Sequence, residues 1–114
     1  MKKLKAIFHV NETENWKKTL INVTNFVNDV GEGNAEVEIL ANGAAVLFYT
    51  GEEEDRYEQM KRLAGRGVQF LACRNALKMH SLGEESLYPF VRTVPAGITE
   101  IVRRQGEGFA YIKP

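Results

Sequence analysis

The sequence holds a single cysteine, Cys73, among its 114 residues. No intramolecular disulfide can form, and every reading that needs paired thiols, from a CxxC redox motif to a zinc ribbon, is excluded. Histidine is almost as scarce: His9 and His80 are the only two, too few and too far apart to compose a metal site with Cys73 within one chain. Charge of one sign is also missing, because 15 basic residues balance 15 acidic ones for a formal net charge of zero. That balance argues against nucleic acid and against an electrostatically held membrane partner, and near neutrality favours self-association. No apolar run approaches the length of a membrane span. The basic start, Met1-Lys2-Lys3-Leu4-Lys5, looks like the head of a signal peptide, but the apolar stretch behind it ends at His9, so it reads as a first strand. A lone thiol and no secretory signal point to a reducing compartment, the cytoplasm.

What is present is ordinary globular composition, 44% hydrophobic and 26% charged. A chain of this size buries roughly two-thirds of its unfolded surface and needs no staple. One domain over residues 1–114 is expected. Leu4 to Val10 has the apolar pattern of a strand buried on both faces. Asn11 or Thr13 offers a cap for an amphipathic helix carrying Trp16, Leu20, Val23, Val27 and Val30 at alternating spacings of four and three. Gly31-Glu32-Gly33-Asn34 ends it, and Glu36 to Ala41 reads as a second strand.

After the Asn42-Gly43 turn, the apolar segment 44–49 is compatible with a strand or a short helix. A helical turn is preferred because a strand there would make a hairpin and break the alternation. Thr50-Gly51-Glu52-Glu53 has capping-box spacing before a helix with Tyr57, Met60, Leu63 and Ala64 on its inner face. Val68 to Ala72 is the third strand and runs straight into Cys73 and a short helix. Phe90 to Val94 is a fourth strand closed by Pro95, Ile98, Ile101, Val102 and Gln105 mark a last helix, and Phe109 to Ile112 closes the chain. Strand and helix thus alternate throughout, which predicts an α/β fold with a mostly parallel sheet and helices on both faces. Phe48, Tyr49, Tyr57, Tyr88 and Phe90 have no obvious place in so small a core and are expected to cover a subunit interface.

In such sheets, reactive groups gather beyond the carboxyl ends of the strands. That edge carries His9 with Asn11, Asn42 with Gly43, Cys73 with Arg74 and Asn75, and Pro95 with Gly97. Cys73 is the sharpest candidate. A thiol at a helix start meets unpaired backbone N–H groups that favour the thiolate, and Arg74 beside it adds positive charge. The competing reading is a buried cysteine that acts as a small hydrophobe. His80, seven residues on and about 10 Å away along the helix, is out of reach as a base. His9 approaches Cys73 only if their strands are neighbours; otherwise it is a core or edge histidine. No phosphate-cradling glycine motif follows a strand, so no nucleotide or flavin cofactor is implied.

The segments Leu40-Ala41-Asn42-Gly43-Ala44-Ala45-Val46, Val68-Gln69-Phe70-Leu71-Ala72-Cys73-Arg74-Asn75-Ala76-Leu77 and the stretch from Val94-Pro95-Ala96-Gly97 to Ile112 resemble the DsrE/DsrF-like family of small sulfur-relay proteins, over essentially the whole chain. The resemblance implies a three-layer α/β/α fold with a five-stranded, mostly parallel sheet and assembly as a homo-oligomer. It also implies a cysteine that carries sulfur as a persulfide between donor and acceptor proteins. The family cysteine lies in a Cys-x-Asn segment after a strand, which assigns the role to Cys73 with Asn75 in support. The alternative is a non-catalytic oligomeric binding or scaffold domain with a structural Cys73. A cysteine hydrolase is a third, weaker reading, since its base would have to come from a neighbouring subunit.

Overall fold

The structure is a computed structural model that describes residues 3–114, so Met1 and Lys2 of the basic start lie outside the described residues. Strands β1 (Leu4–Val10), β2 (Ala35–Ala41), β3 (Gln69–Cys73), β4 (Val91–Val94) and β5 (Ala110–Ile112) form one sheet in the order β4-β3-β2-β1-β5. Every pairing is parallel. Between the strands run α1 (Trp16–Val30), α2 (Glu54–Gly65), α3 (Arg74–Met79) and α4 (Gly97–Gly106). The α/β alternation expected from the sequence is therefore realised as a five-stranded parallel sheet between two helical layers.

The strand order dictates which helix lies where. From β1 to β4 the chain steps in one direction across the sheet, and right-handed crossovers then place α1, α2 and α3 on the same face. The return from β4 to β5 runs the other way, so α4 must cross the opposite face alone. The packing follows this rule. Trp16, Leu20, Val23 and Val27 of α1, Met60 and Leu63 of α2, and Ala76 and Leu77 of α3 share one core with Phe8, Val37, Ile39 and Phe70. Beneath α4, a smaller core of Ile7, Leu40, Leu71, Val94, Ile101 and Phe109 fills the second face.

The segment after β2 is a 3-10 helix, Gly43–Tyr49, as the preferred reading had it. It is fixed to both neighbours. Trp16 Nε1 donates to the Ala45 carbonyl at 2.8 Å, and the buried Tyr49 hydroxyl lies 2.9 Å from the Leu71 carbonyl oxygen. The capping box at Thr50 does not form: Thr50 Oγ1 donates back to the Leu47 carbonyl, and the Glu53 carboxylate caps α2 by accepting from the Asp55 N–H. Gly51, at φ 93°, turns the chain between them and delays the helix start to Glu54. Four of the five aromatic residues expected at an interface have ring neighbours within the chain, whereas Phe48 is half-buried under the Arg56 guanidinium. Tyr57, Tyr88 and Phe90 stack on one another and, through Phe70, on Tyr49 and Trp16, with ring centroids 4.9–6.2 Å apart.

Gly43 is required on two grounds. Its φ is +54°, and a Cβ there would stand 2.8 Å from the Asn11 carbonyl oxygen. Gly43→Ala is expected to cost about 1–3 kcal/mol and to lower Tm by several degrees in a thermal melt. A melt unchanged from the parent would contradict this account of the turn.

Candidate functional site

The carboxyl ends of β3 and β4 are neighbours in the sheet, but the chain leaves β3 for the α3 layer and leaves β4 for the α4 layer. That divergence is the topological switch point of this fold, and the crevice outside it is where open α/β sheets place ligands. Cys73 ends β3 there, with Val94 as its register partner on β4. Its Cβ and Sγ meet the start of α4, as the alternation from Leu71 requires, while the residue also packs with Ala76 and Leu77 in the core on the other face.

The thiol has a donor, but from a different helix than the sequence suggested. Cys73 occupies the cap position of α3 without a capping hydrogen bond from its side chain. Its Sγ instead accepts the Gly97 N–H, the first of α4, at 3.4 Å. Such an N–H solvates negative charge on sulfur. The approach at Gly97 is close: a Cβ would stand 3.3 Å from Leu40 Cδ2, 3.4 Å from Cys73 Cβ and 3.6 Å from Asn42 Cβ, the first tight and the other two ordinary contacts. The thiol itself is enclosed, with Cys73 6% exposed.

The other edge residues divide into two groups. Asn42 and Gly97 stand beside Cys73. His9 does not reach the thiol, because β2 separates β1 from β3. Its Nε2 lies 2.9 Å from Asn42 Oδ1 and its Nδ1 lies 2.6 Å from the Tyr111 hydroxyl. Asn11 meets Gly43 through its backbone. Arg74 is turned outward, its Nε 3.6 Å from Glu84 Oε2, and Asn75 is exposed on α3. Pro95 is exposed just before the α4 cap. Among the described residues, no three His, Cys, Asp or Glu side chains gather to hold a metal ion.

Sequence reasoning missed the polar cluster that seats α4. Glu38, read as an ordinary strand residue, is 2% exposed and faces α4 from the middle of β2. Arg104 NH2 approaches its Oε2 to 2.7 Å, while Arg104 Nε binds Glu100 Oε2 at 3.1 Å and NH1 binds Glu107 at 2.8 Å. Arg103 lies 3.7 Å from Glu100, and Arg92 on β4 adds positive charge on the same side. No donor among the described residues is well aligned on either Glu38 oxygen, despite the short ion pair. Glu100, on α4, is the neighbouring carboxyl, and Arg104, which bonds both, links the two. Burial, followed by the Glu100 side chain and its charge, pushes the Glu38 carboxyl up to about 7 against the pull of Arg104. Burial acts on Glu100 too, but the Glu38 carboxyl and Arg104 outweigh it and hold Glu100 below the ordinary carboxylate value. The only sequence signal was charge at alternate positions, Glu36 and Glu38, in a strand otherwise apolar.

These directions set a pH dependence. From the ordinary carboxylate range up to about 7, the unfolded chain releases the Glu38 proton and the folded chain keeps it, so this group's contribution to stability falls as pH rises. Glu100 works in the opposite sense, its contribution being lost only in acid. Glu38→Gln, which mimics the protonated form, should therefore gain on the parent between about pH 5 and about pH 8 by roughly 1–3 kcal/mol in denaturant melts. Parallel stability curves for the two proteins would contradict a Glu38 carboxyl that keeps its proton in the folded chain.

With the geometry in place, the comparisons with known proteins are consistent with one another. A solved protein of unknown function, MTH1491 from Methanobacterium thermoautotrophicum, is 30% identical over 98% of this chain and all of its own, with a TM-score of 0.89. The ychN protein from E. coli shares the fold at a TM-score of 0.76 and 13% identity, each chain covered in full. No curated protein matches the sequence. The model of the DsrE/DsrF-like family matches residues 5–114, from the second residue of β1 to the end of the chain, and the protein belongs to that family.

Proposed function

We propose that the protein is a sulfur-relay carrier that accepts sulfane sulfur on Cys73 and passes it to a partner thiol. The observation that carries this reading is the position of the thiol at the switch point, with the Gly97 N–H on its sulfur. Family membership supports the cargo. In the loading step the Cys73 thiolate attacks the outer sulfur of a donor persulfide, R–S–SH. A sulfur–sulfur bond forms to Cys73, the donor's own bond breaks, and the donor leaves as R–S⁻. In the delivery step an acceptor thiolate attacks the outer sulfur of Cys73–S–SH, takes it as a persulfide, and returns Cys73 as thiolate. No metal or cofactor enters either step.

Asn11, Asn42, Gly43, Arg74, Asn75 and Pro95 would form the rim on which donor and acceptor proteins dock. The lone cysteine fits a cytoplasmic location. Exposed Ile98 and Val102 on α4, 61% and 64% accessible, fit assembly as a homo-oligomer around the same helix.

One observation favours a second reading, a non-catalytic scaffold domain: the 6% exposure of Cys73, which is the burial of a packing residue. Intact mass separates the two. After brief exposure to inorganic polysulfide, the parent should gain at least one sulfur that a reductant removes, and Cys73→Ser should gain none. An unmodified parent, under conditions that load a control thiol protein, would overturn the carrier in favour of the scaffold.

A further inference from the structure

Tyr111, His9 and Asn42 form a line of hydrogen bonds that starts at the β5 edge and ends beside the thiol. Tyr111, 38% exposed, places its hydroxyl 2.6 Å from His9 Nδ1, and His9 Nε2 lies 2.9 Å from Asn42 Oδ1. One neutral tautomer satisfies both contacts: the Tyr111 O–H donates to Nδ1, and the Nε2–H donates to Asn42 Oδ1. His9 is 8% exposed, so its ring is held by packing as well as by these bonds. With Oδ1 committed toward β1, the other arm of the planar amide diverges by about 120°. The Asn42 Nδ2 has no hydrogen-bond acceptor among the described residues.

The register shows what lies on that other side. Ala41 pairs with Ala72, so Asn42 and Cys73 follow in step at the ends of adjacent parallel strands, about 5 Å apart. Both Cβ atoms lie within 3.6 Å of the position a Gly97 Cβ would take. Gly97 itself serves Sγ through its N–H and offers no side chain. Negative charge on a sulfur added to Sγ calls for a donor besides the Gly97 N–H. Asn75 is exposed on α3.

Resting on the carrier reading above, we infer that the Asn42 side-chain amide, oriented by His9 and Tyr111, is the donor that holds the outer, anionic sulfur of a Cys73 persulfide. Asn42 touches the carried atom, whereas His9 and Tyr111 are positioning residues that act through it. The sequence had grouped His9 and Asn42 at one edge without a division of roles, and Tyr111 carried no signal beyond a strand aromatic.

The test is the pH profile of alkylation by iodoacetamide, read by intact mass on polysulfide-loaded and unloaded protein. In loaded protein, Asn42→Ala should move the profile to higher pH by about one unit, a roughly tenfold slower reaction below the midpoint. Asn42→Asp keeps the acceptor for His9 but removes the donor and adds charge, so it should shift the profile at least as far, and it serves if the alanine variant folds poorly. His9→Leu should shift the profile in the same direction and add nothing in an Asn42→Ala background, whereas His9→Gln, which keeps a side-chain N–H, should restore it. In unloaded protein the Asn42→Ala and His9→Leu shifts should be clearly smaller than in loaded protein, because the Gly97 N–H serves Sγ, whereas the Asn42→Asp charge should raise both profiles. Normal loading with an unshifted Asn42→Ala profile would overturn this inference and leave the carrier standing. A parent that never loads would overturn both.

Discussion

The contact on which the site depends is the close approach of the first turn of α4 to the ends of β2 and β3. There the Gly97 N–H reaches Cys73 Sγ at 3.4 Å, with Leu40, Cys73 and Asn42 close around the residue. That approach is in turn a consequence of topology. A chain that has laid down four strands in one direction must return across the free face, and its one return helix starts over the switch point. The smaller core and the Glu38, Glu100 and Arg104 cluster hold the rest of that helix down. Helix α4 is thus anchored by Arg104 and two acidic residues as well as by hydrophobic area. A buried carboxyl is a costly way to pack a helix, and a raised carboxyl that holds its proton reduces the charge that must be desolvated.

Much of the fold was legible because its signals are local. Periodicity located all four α-helices and five strands, and the run Val68 to Cys73 gave the strand-to-helix junction that bears the thiol. The misread details also had local causes. Thr50 and Glu53 have capping-box spacing, yet the positive φ of Gly51 makes Thr50 close the preceding 3-10 turn and leaves the cap to Glu53. Tyr57, Tyr88 and Phe90 looked homeless because the connector before β4 was read without structure. In fact Tyr88 donates through its hydroxyl to the Thr50 or Gly51 carbonyl and ties that connector to the start of α2.

The site was legible as an edge and illegible as a geometry. Strand order decides whether His9 faces Cys73, and no periodicity carries strand order. Once β2 lies between them, His9 can act on the thiol region only through Asn42. Likewise the helix that solvates the sulfur is α4, 24 residues further along the chain, and not α3, which begins next to the thiol. Glu38 escaped notice because one carboxylate in a strand is an ordinary solvated residue until a helix is laid across it.

A carrier thiol must be shielded enough to keep its cargo and open enough to exchange it. On the proposed carrier reading, the burial of Cys73 would serve the first condition, and the exposed residues Arg74, Asn75 and Pro95 would serve the second. Delivery is therefore the decisive property. In a single turnover, protein loaded with isotope-labelled sulfane sulfur would be mixed with a thiol acceptor under native conditions. The account predicts that label passes to the acceptor while Cys73 returns to a free thiol that can be loaded again. Label that stays on the folded protein, and leaves only on unfolding, would contradict it.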